Sequence, residues 1–256
     1  MIYVMSDIHG SQEAFDRILD MIQLTEDDHL YIIGDVIDRG SNGIELLQRI
    51  RGMRGVTLLL GNHEYMMVNK LRNPDEGYFG WLWGINGGGI TYDHYKRLPQ
   101  KEQEDLLYYL DTLPLQINVR VNGVDYVLVH ACPIDLFSRF GWKNKDQKEF
   151  AVWKRVRAHQ KLYEDKTVIF GHTPTMYYPL GDTLMRIWHG NNRICVDCGC
   201  AYPSYGGQLG CIRLDDMKEF YSGPVYDDED NEEYEDNDEC VTGSDDGSTD
   251  KEEQRI

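Results

Sequence analysis

Five times along the chain a short apolar run breaks off at a polar cluster: "MIYVMSDIHG" (1–10), "YIIGDVIDRG" (31–40), "VTLLLGNHE" (56–64), "VDYVLVHA" (124–131) and "KTVIFGHT" (166–173). The runs are rich in Val, Ile, Leu and Tyr and too short for helices, a pattern that predicts strands buried on both faces. In open α/β folds the loops beyond the carboxyl ends of the strands converge on one rim. The pattern therefore predicts a single edge at which Asp7, His9, Asp35, Asp38, Asn62, His63, His130 and His172 meet.

Helices are predicted between the strands. Residues 11–24 place Phe15, Ile18, Leu19 and Ile22 at helical spacing, with Ser11 as the start, and residues 41–52 form a second helix that stops at Gly52. Strand and helix then alternate through residues 2–60, the signature of an α/β sheet. Asn122-Gly123, between "LQINVRV" and "VDYVLVHA", predicts a type I′ hairpin and a more antiparallel second half. "NRICVDCG" and "GQLGCIRLDDMKEFYS" read as two further strands and a terminal hairpin. Residues 73–114 interrupt the rhythm with glycines and aromatics followed by a charged helical stretch, which suits a lid or specificity segment and equally a satellite core.

Composition changes this picture in two places. The 256-residue chain carries a net charge of −18, but residues 226–256 alone hold fifteen Asp or Glu against one Lys and one Arg, so residues 1–225 carry only −5. The acidic stretch is expected to be a disordered tail on a single domain of residues 1–225. No apolar run approaches the roughly 18–20 residues a bilayer span needs, and the chain opens directly on a strand pattern. A cytoplasmic protein with no membrane or nucleic-acid partner is expected, with the oligomeric state left open. Six cysteines in a chain long enough to bury its own core point to reduced thiols. Cys195, Cys198 and Cys200 are spaced like a zinc cluster but lack a nearby fourth ligand, so a structural role is expected for them.

Several carboxylates gathered at one buried rim repel one another, and cations are the natural remedy. Three carboxylate or amide oxygens and three imidazoles drawn from that rim form a mixed donor set. That set suits Mn²⁺, Fe or Zn²⁺ better than Ca²⁺. Six ligands serve two ions only if one carboxylate is shared, which places the ions about 3.5–4 Å apart.

In their order, "DIHG", "GDVIDRG", "GNHE", "VHA" and "GHT" resemble the motifs of the metallophosphoesterases, and specifically the bacterial and phage branch of the phosphoprotein phosphatases, over Asp7 to about Tyr221. The resemblance implies a calcineurin-like α/β fold, a mixed β-sandwich flanked by helices (α/β/β/α). It implies two divalent ions, Mn²⁺ first: Asp7, His9 and Asp35 hold one, Asp35 bridges, and Asn62, His130 and His172 complete the other. His63 and Asp38 would form the acid pair, while Arg39, Asn62 and the arginine of Trp153-Lys154-Arg155 would bind phosphate, with Arg157 a close alternative. Glu64 would be a helix-start or supporting residue, and Gly34 and Gly40 would let the "GDVIDRG" turn bend tightly. The implied reaction is phosphomonoester hydrolysis by a metal-bridging hydroxide, on phosphoserine or phosphothreonine proteins or peptides and with phosphotyrosine also accepted. Two other readings stand beside it. Symmetrical diadenosine tetraphosphate hydrolases share these motifs, and an inactive metal-bound scaffold would share the fold, although no ligand is missing here.

Overall fold

A computed structural model describes residues 1–140, 146–179 and 185–226. The acidic stretch from 227 onward lies outside the described residues, and Met1–Tyr226 form one compact unit. Ten strands occur among the described residues: β1 (Ile2–Met5), β2 (His29–Ile32), β3 (Val56–Leu58), β4 (Gln116–Val121), β5 (Val124–Val129), β6 (Lys166–Phe170), β7 (Trp188–Gly190), β8 (Arg193–Cys195), β9 (Gly210–Arg213) and β10 (Lys218–Tyr221). The helices that pack on them are α1 (Gln12–Ile22), α2 (Gly43–Gly52), α3 (Asn62–Arg72), α4 (Gly77–Ile85), α5 (Gly89–Arg97), α6 (Gln100–Asp111), the single turn α7 (Phe137–Phe140) and α8 (Gln147–Trp153).

The strands form two five-stranded mixed sheets, ordered β10-β9-β1-β2-β3 and β4-β5-β6-β8-β7. Alternation along each strand builds three apolar layers. Val4, Ile33, Leu59, Leu128, Ile169 and Ile194 fill the space between the sheets. Tyr3, Met5, Leu30 and Ile32 face the helices on one side, and Val127, Val129, Val168 and Phe170 face Phe150 of α8 on the other. Side chains of β1 and β5 thus bury on both faces, as the continuous apolar runs require.

The Asn122-Gly123 hairpin closes as expected, with Val121 opposite Val124 and both turn residues at positive φ (49° and 85°). The second half of the chain is the more antiparallel, as expected: β4 with β5, β7 with β8, and β9 with both β10 and β1 pair antiparallel, although β5, β6 and β8 run parallel at the centre of the second sheet. Ser11 makes no side-chain cap; α1 ends at Ile22, where Gln23 turns left-handed (φ 47°) and donates its N–H to the Leu19 carbonyl. α2 begins at Gly43 rather than 41, because Asn42 is occupied in a loop bond to the Gly10 carbonyl (3.2 Å). Residues 73–114 fold into α4, α5 and α6. Their inward side chains Trp83, Tyr95, Leu106 and Leu110 join the helix-side core, while Tyr78, Trp81 and Ile85 stay exposed.

Candidate active site

The parallel strands of both sheets deliver their polar residues to one rim. Asp7 and His9 follow β1, Asp35, Asp38 and Arg39 follow β2, and Asn62 and His63 open α3 just beyond β3. His130 follows β5 and His172 follows β6. Except for Arg39, all of these side chains are buried. The turns that hold them are strained. Among the described residues eleven non-glycines have positive φ, and six of those are Asp7, His9, Asp35, Asp38, Arg39 and His172. Strain of this kind persists only where surrounding structure enforces it, and it gathers at functional sites.

Much of the enforcement comes from Glu64, the last residue of "GNHE". Its fully buried carboxylate accepts from the backbone N–H of Asp35 (2.9 Å), Val36 (2.8 Å) and Gly61 (3.1 Å), fastening the "GDVIDRG" turn to the start of α3. Gly34 provides the bend there, at φ +101°. Gly40 does something different from bending: a Cβ on it would lie 2.5 Å from the His9 carbonyl oxygen, so it permits the first two motif loops to touch.

At the centre lies Asp35. Its Oδ2 is 3.9 Å from His9 Nε2, 3.9 Å from His63 Nε2 and 3.4 Å from His130 Nε2. Asp7 Oδ1 is 4.0 Å from the same His9 nitrogen, and Asp7 Oδ2 accepts from the His172 backbone N–H at 3.1 Å. Asn62 Oδ1 lies 2.9 Å from His130 Nε2 and 2.7 Å from His172 Nδ1. Two groups of potential ligands result, His9 with Asp35 and His63, and Asp35 with His130 and His172. The six residues expected to hold metals are therefore brought together, with Asp35 common to both groups.

The donor atoms fit cations on chemical grounds. His9 and His130 each direct Nδ1 at a backbone carbonyl, of Ile37 (3.1 Å) and Ile33 (2.8 Å). A carbonyl only accepts, so Nδ1 carries the proton and Nε2 presents a lone pair to Asp35. His130 Nε2 and Asn62 Oδ1 then face each other as two lone-pair atoms with no proton between them, a contact that a positive ion relieves. Burial, followed by nearby positive charge, pushes the His9 and His172 imidazoles well below their ordinary pKa, toward the neutral ligating form. Burial first, then the charges of Asp7 and Glu64, pushes the Asp35 carboxyl well above its ordinary value. Without cations the Asp35 carboxyl is pressed to keep its proton; with them it can ionise.

The two residues expected to form an acid pair also meet. His63 Nδ1 lies 2.6 Å from Asp38 Oδ2, and Nε2 on the far side of the ring accepts from Arg39 Nη2 at 3.2 Å. Burial raises the Asp38 carboxyl to about 7, while burial and the Arg39 charge push His63 well down. Both shifts disfavour charge, so burial favours the uncharged forms of the pair. Arg39 also donates to the Tyr202 hydroxyl (3.1 Å). Arg155 donates to Thr173 Oγ1 (3.1 Å) and lines the same cleft of about 460 Å³ as Arg39, Asn62 and His63. Arg157 lines a neighbouring groove instead.

Three residues at this site were not anticipated. Trp83 of α4 donates its indole N–H to Asp38 Oδ2 (2.7 Å), and Thr91 Oγ1 of α5 accepts the Asp38 backbone N–H (3.0 Å). Nothing local in the sequence pairs them with Asp38. Asp197, buried beside Asp7 at the end of β8, repeats the figure of apolar run then aspartate in "RICVD", so the signal was present. Cys195, Cys198 and Cys200, the three spaced like a zinc cluster, are instead packed in three separate apolar layers.

Trp83→Phe is expected to keep the fold and slow hydrolysis of a phosphoester with a poor leaving group at least tenfold, since a hydrogen bond to a charged group is worth roughly 1.5–3 kcal/mol. Nitrophenyl phosphate, whose leaving group needs no proton, should be affected less. Equal slowing of both substrates would show that the indole merely fills space.

Residues 1–199 match the calcineurin-like phosphoesterase family. The chain belongs to that family, and the two mixed sheets with their shared ligand rim are its fold. Among proteins of known sequence it is 28% identical over 221 residues to serine/threonine-protein phosphatase 1 of Salmonella typhimurium, a match spanning 83% of this chain and 91% of that one. It is 29% identical over 135 residues to the symmetrical bis(5'-nucleosyl)-tetraphosphatase of Paracidovorax citrulli, spanning 51% of this chain and 43% of that one. Its fold is similar to the crystal structure of a metallophosphoesterase from Sphaerobacter thermophilus (TM-score 0.56, 16% identity, 90% of each chain). Among the described residues no helix is long and apolar enough to cross a membrane.

Proposed function

We propose that this phosphoesterase holds two divalent cations, Mn²⁺ first among them, and hydrolyses phosphomonoesters of serine and threonine in proteins or peptides. The observation that carries the two-cation reading is the position of Asp35 Oδ2, within 4 Å of the Nε2 atoms of His9, His63 and His130. Asp7, His9 and Asp35 would hold one cation, and Asp35, Asn62, His130 and His172 the other. Bound there, the ions would make a water acidic enough to act as nucleophile near neutral pH and would neutralise phosphoryl charge.

The protein's own groups supply the rest. Arg39 and Arg155 line the cleft and offer planar donors that suit the equatorial oxygens of a dianionic monoester better than those of a diester. Asn62, at the cleft floor, offers an amide to the same phosphate. His63 protonates the departing alkoxide, and Asp38 orients the ring and shares its proton. As found, Arg39 donates into His63 Nε2, so a phosphate that draws Arg39 away also frees that nitrogen to take up from solvent the proton it then gives to the leaving oxygen.

The protein substrate is favoured over the dinucleotide because the Salmonella phosphatase matches over nearly its whole length, whereas the tetraphosphatase matches over less than half of its own. The rival has support of its own in the exposed Tyr177 and half-exposed Tyr202 rings at the cleft mouth, which could stack on a base. Turnover of a phosphopeptide panel beside diadenosine tetraphosphate separates the two: hydrolysis of the dinucleotide alone would overturn the proposal, and hydrolysis of neither would favour a scaffold. Chelation is expected to abolish turnover, and Mn²⁺ to restore it at least as well as Mg²⁺, because imidazole ligands disfavour the harder ion. Full activity of metal-stripped protein would refute this.

A further inference from the structure

Beside the catalytic cleft lies a second groove, of about 550 Å³, and the two share Trp153, Arg155, Thr173 and Tyr177. Its basic side chains come from one short segment, "WKRVRAH": Lys154, Arg155, Arg157 and His159 all line it. Residues 1–225 carry a net charge of −5, so this segment concentrates positive charge on a mildly acidic domain. Among the described residues no carboxylate lies within ion-pair distance of Lys154, Arg157 or His159. Like charges held together without counter-charges repel, so the arrangement is favourable only when an anion occupies it.

The segment is also fixed in place. Val156 and Leu162 are buried as anchors. The Tyr178 hydroxyl donates to the Val156 carbonyl (2.6 Å), and Arg193 Nη1 donates to the carbonyls of Arg157 (2.8 Å) and Gln160 (2.5 Å). With its backbone carbonyls tied down and its apolar side chains buried, the segment presents its cationic side chains outward, so little ordering is needed when a ligand binds.

We propose that this groove is an anion subsite that receives acidic residues flanking the phosphorylated residue of a peptide substrate, with Arg155 as the member common to both clefts. The proposal rests on the phosphoprotein reading above and adds to it a substrate class: phosphoserine or phosphothreonine in an acidic sequence.

The test uses the full-length, Mn²⁺-loaded protein and three phosphoserine peptides of equal length: one with neutral flanks and two with Asp and Glu on the amino or the carboxyl side. Rates are normalised to each protein's own turnover of nitrophenyl phosphate. One acidic peptide should exceed the neutral peptide in kcat/KM by about 3- to 10-fold, the range expected of two exposed ion pairs. The advantage should appear in KM, shrink with added salt, and fall toward unity in the double variant Lys154→Ala, Arg157→Ala. Peptides all hydrolysed at equal rates, or a preference that survives the double substitution, would overturn the subsite and leave the phosphoprotein reading standing. Hydrolysis of diadenosine tetraphosphate with no peptide turnover would overturn both.

Discussion

His63→Asn should retain both metals yet slow hydrolysis of a phosphoserine peptide by about 10²- to 10⁴-fold, the usual contribution of general acid catalysis. The same protein should hydrolyse nitrophenyl phosphate at a rate close to that of the parent. Asparagine keeps a polar side chain beside Asp38, and Asp38 keeps its 2.7 Å bond from Trp83, so the local packing has what it needs to survive. What disappears is the ring whose Nδ1 lies 2.6 Å from Asp38 and whose Nε2 faces the cleft. A serine alkoxide leaves poorly without a proton, whereas a nitrophenolate is already stable as an anion. Asp38→Asn should show a weaker form of the same selectivity, because the ring remains but its protonated form loses a stabilising carboxylate. Equal slowing of both substrates by His63→Asn, with chemistry rate-limiting, would mean that His63 positions phosphate and the acid assignment is wrong.

Asp35→Ala is expected to empty the site and to be worse than Asp7→Ala, since Asp35 lies among the ligand atoms of both groups. Its loss should cost more than the roughly 10- to 100-fold in affinity or activity that removing an outer partner of a metal ligand costs. The metal-free protein offers an independent readout. Burial, then Asp7 and Glu64, raise the folded-state pKa of Asp35 well above 3.8, while the unfolded chain releases that proton near the ordinary value. The folded state therefore binds more protons in this interval, and stability falls as pH climbs from about 4 through the raised pKa. Asp35→Asn, which keeps the shape without the charge, should flatten that decline and raise the thermal midpoint of stripped protein above pH 6, while still failing to hold metal. Metal content equal to the parent's in Asp35→Ala, or a stripped parent with no loss of stability as pH rises, would contradict the central position assigned to this carboxylate.

The carboxylates that enter the two predictions, Asp38 and Asp35, belong to one short turn. "GDVIDRG" carries Asp35, Asp38 and Arg39 within five residues, and all three sit at positive φ (56°, 72° and 71°). Left-handed backbone at non-glycine positions is uncommon, and here Glu64 and the Gly34 bend hold it. The Asp35 carboxylate turns toward the ligand rim, the Asp38 carboxylate toward His63, and the Arg39 guanidinium into the cleft.

Much of this architecture is legible in the sequence alone because its causes are local. An apolar run bounded by Asp, Asn or His specifies a buried strand and the chemistry at its end within a dozen residues, and β1, β2, β3, β5 and β6 all form where such runs stand. That Asp7, His9, Asp35, Asp38, Asn62, His63, His130 and His172 meet follows from five strand ends reaching one rim, while the choice of six of them as ligands came from the resemblance of the motifs. Tertiary structure alone decided the rest, because the partners are far apart in the chain or the effect requires burial. Trp83 and Thr91 meet Asp38 across 45 and 53 residues. No spacing rule links such positions, and their segment reads equally well as lid or core until it packs. Arg155 and Arg157 share the outer groove, yet only Arg155 also lines the cleft of the ligand rim, which the path of the loop after α8 determines. The protonation preferences of Asp35, Asp38 and His63 arise first from desolvation, a property no side chain has until two sheets close over it.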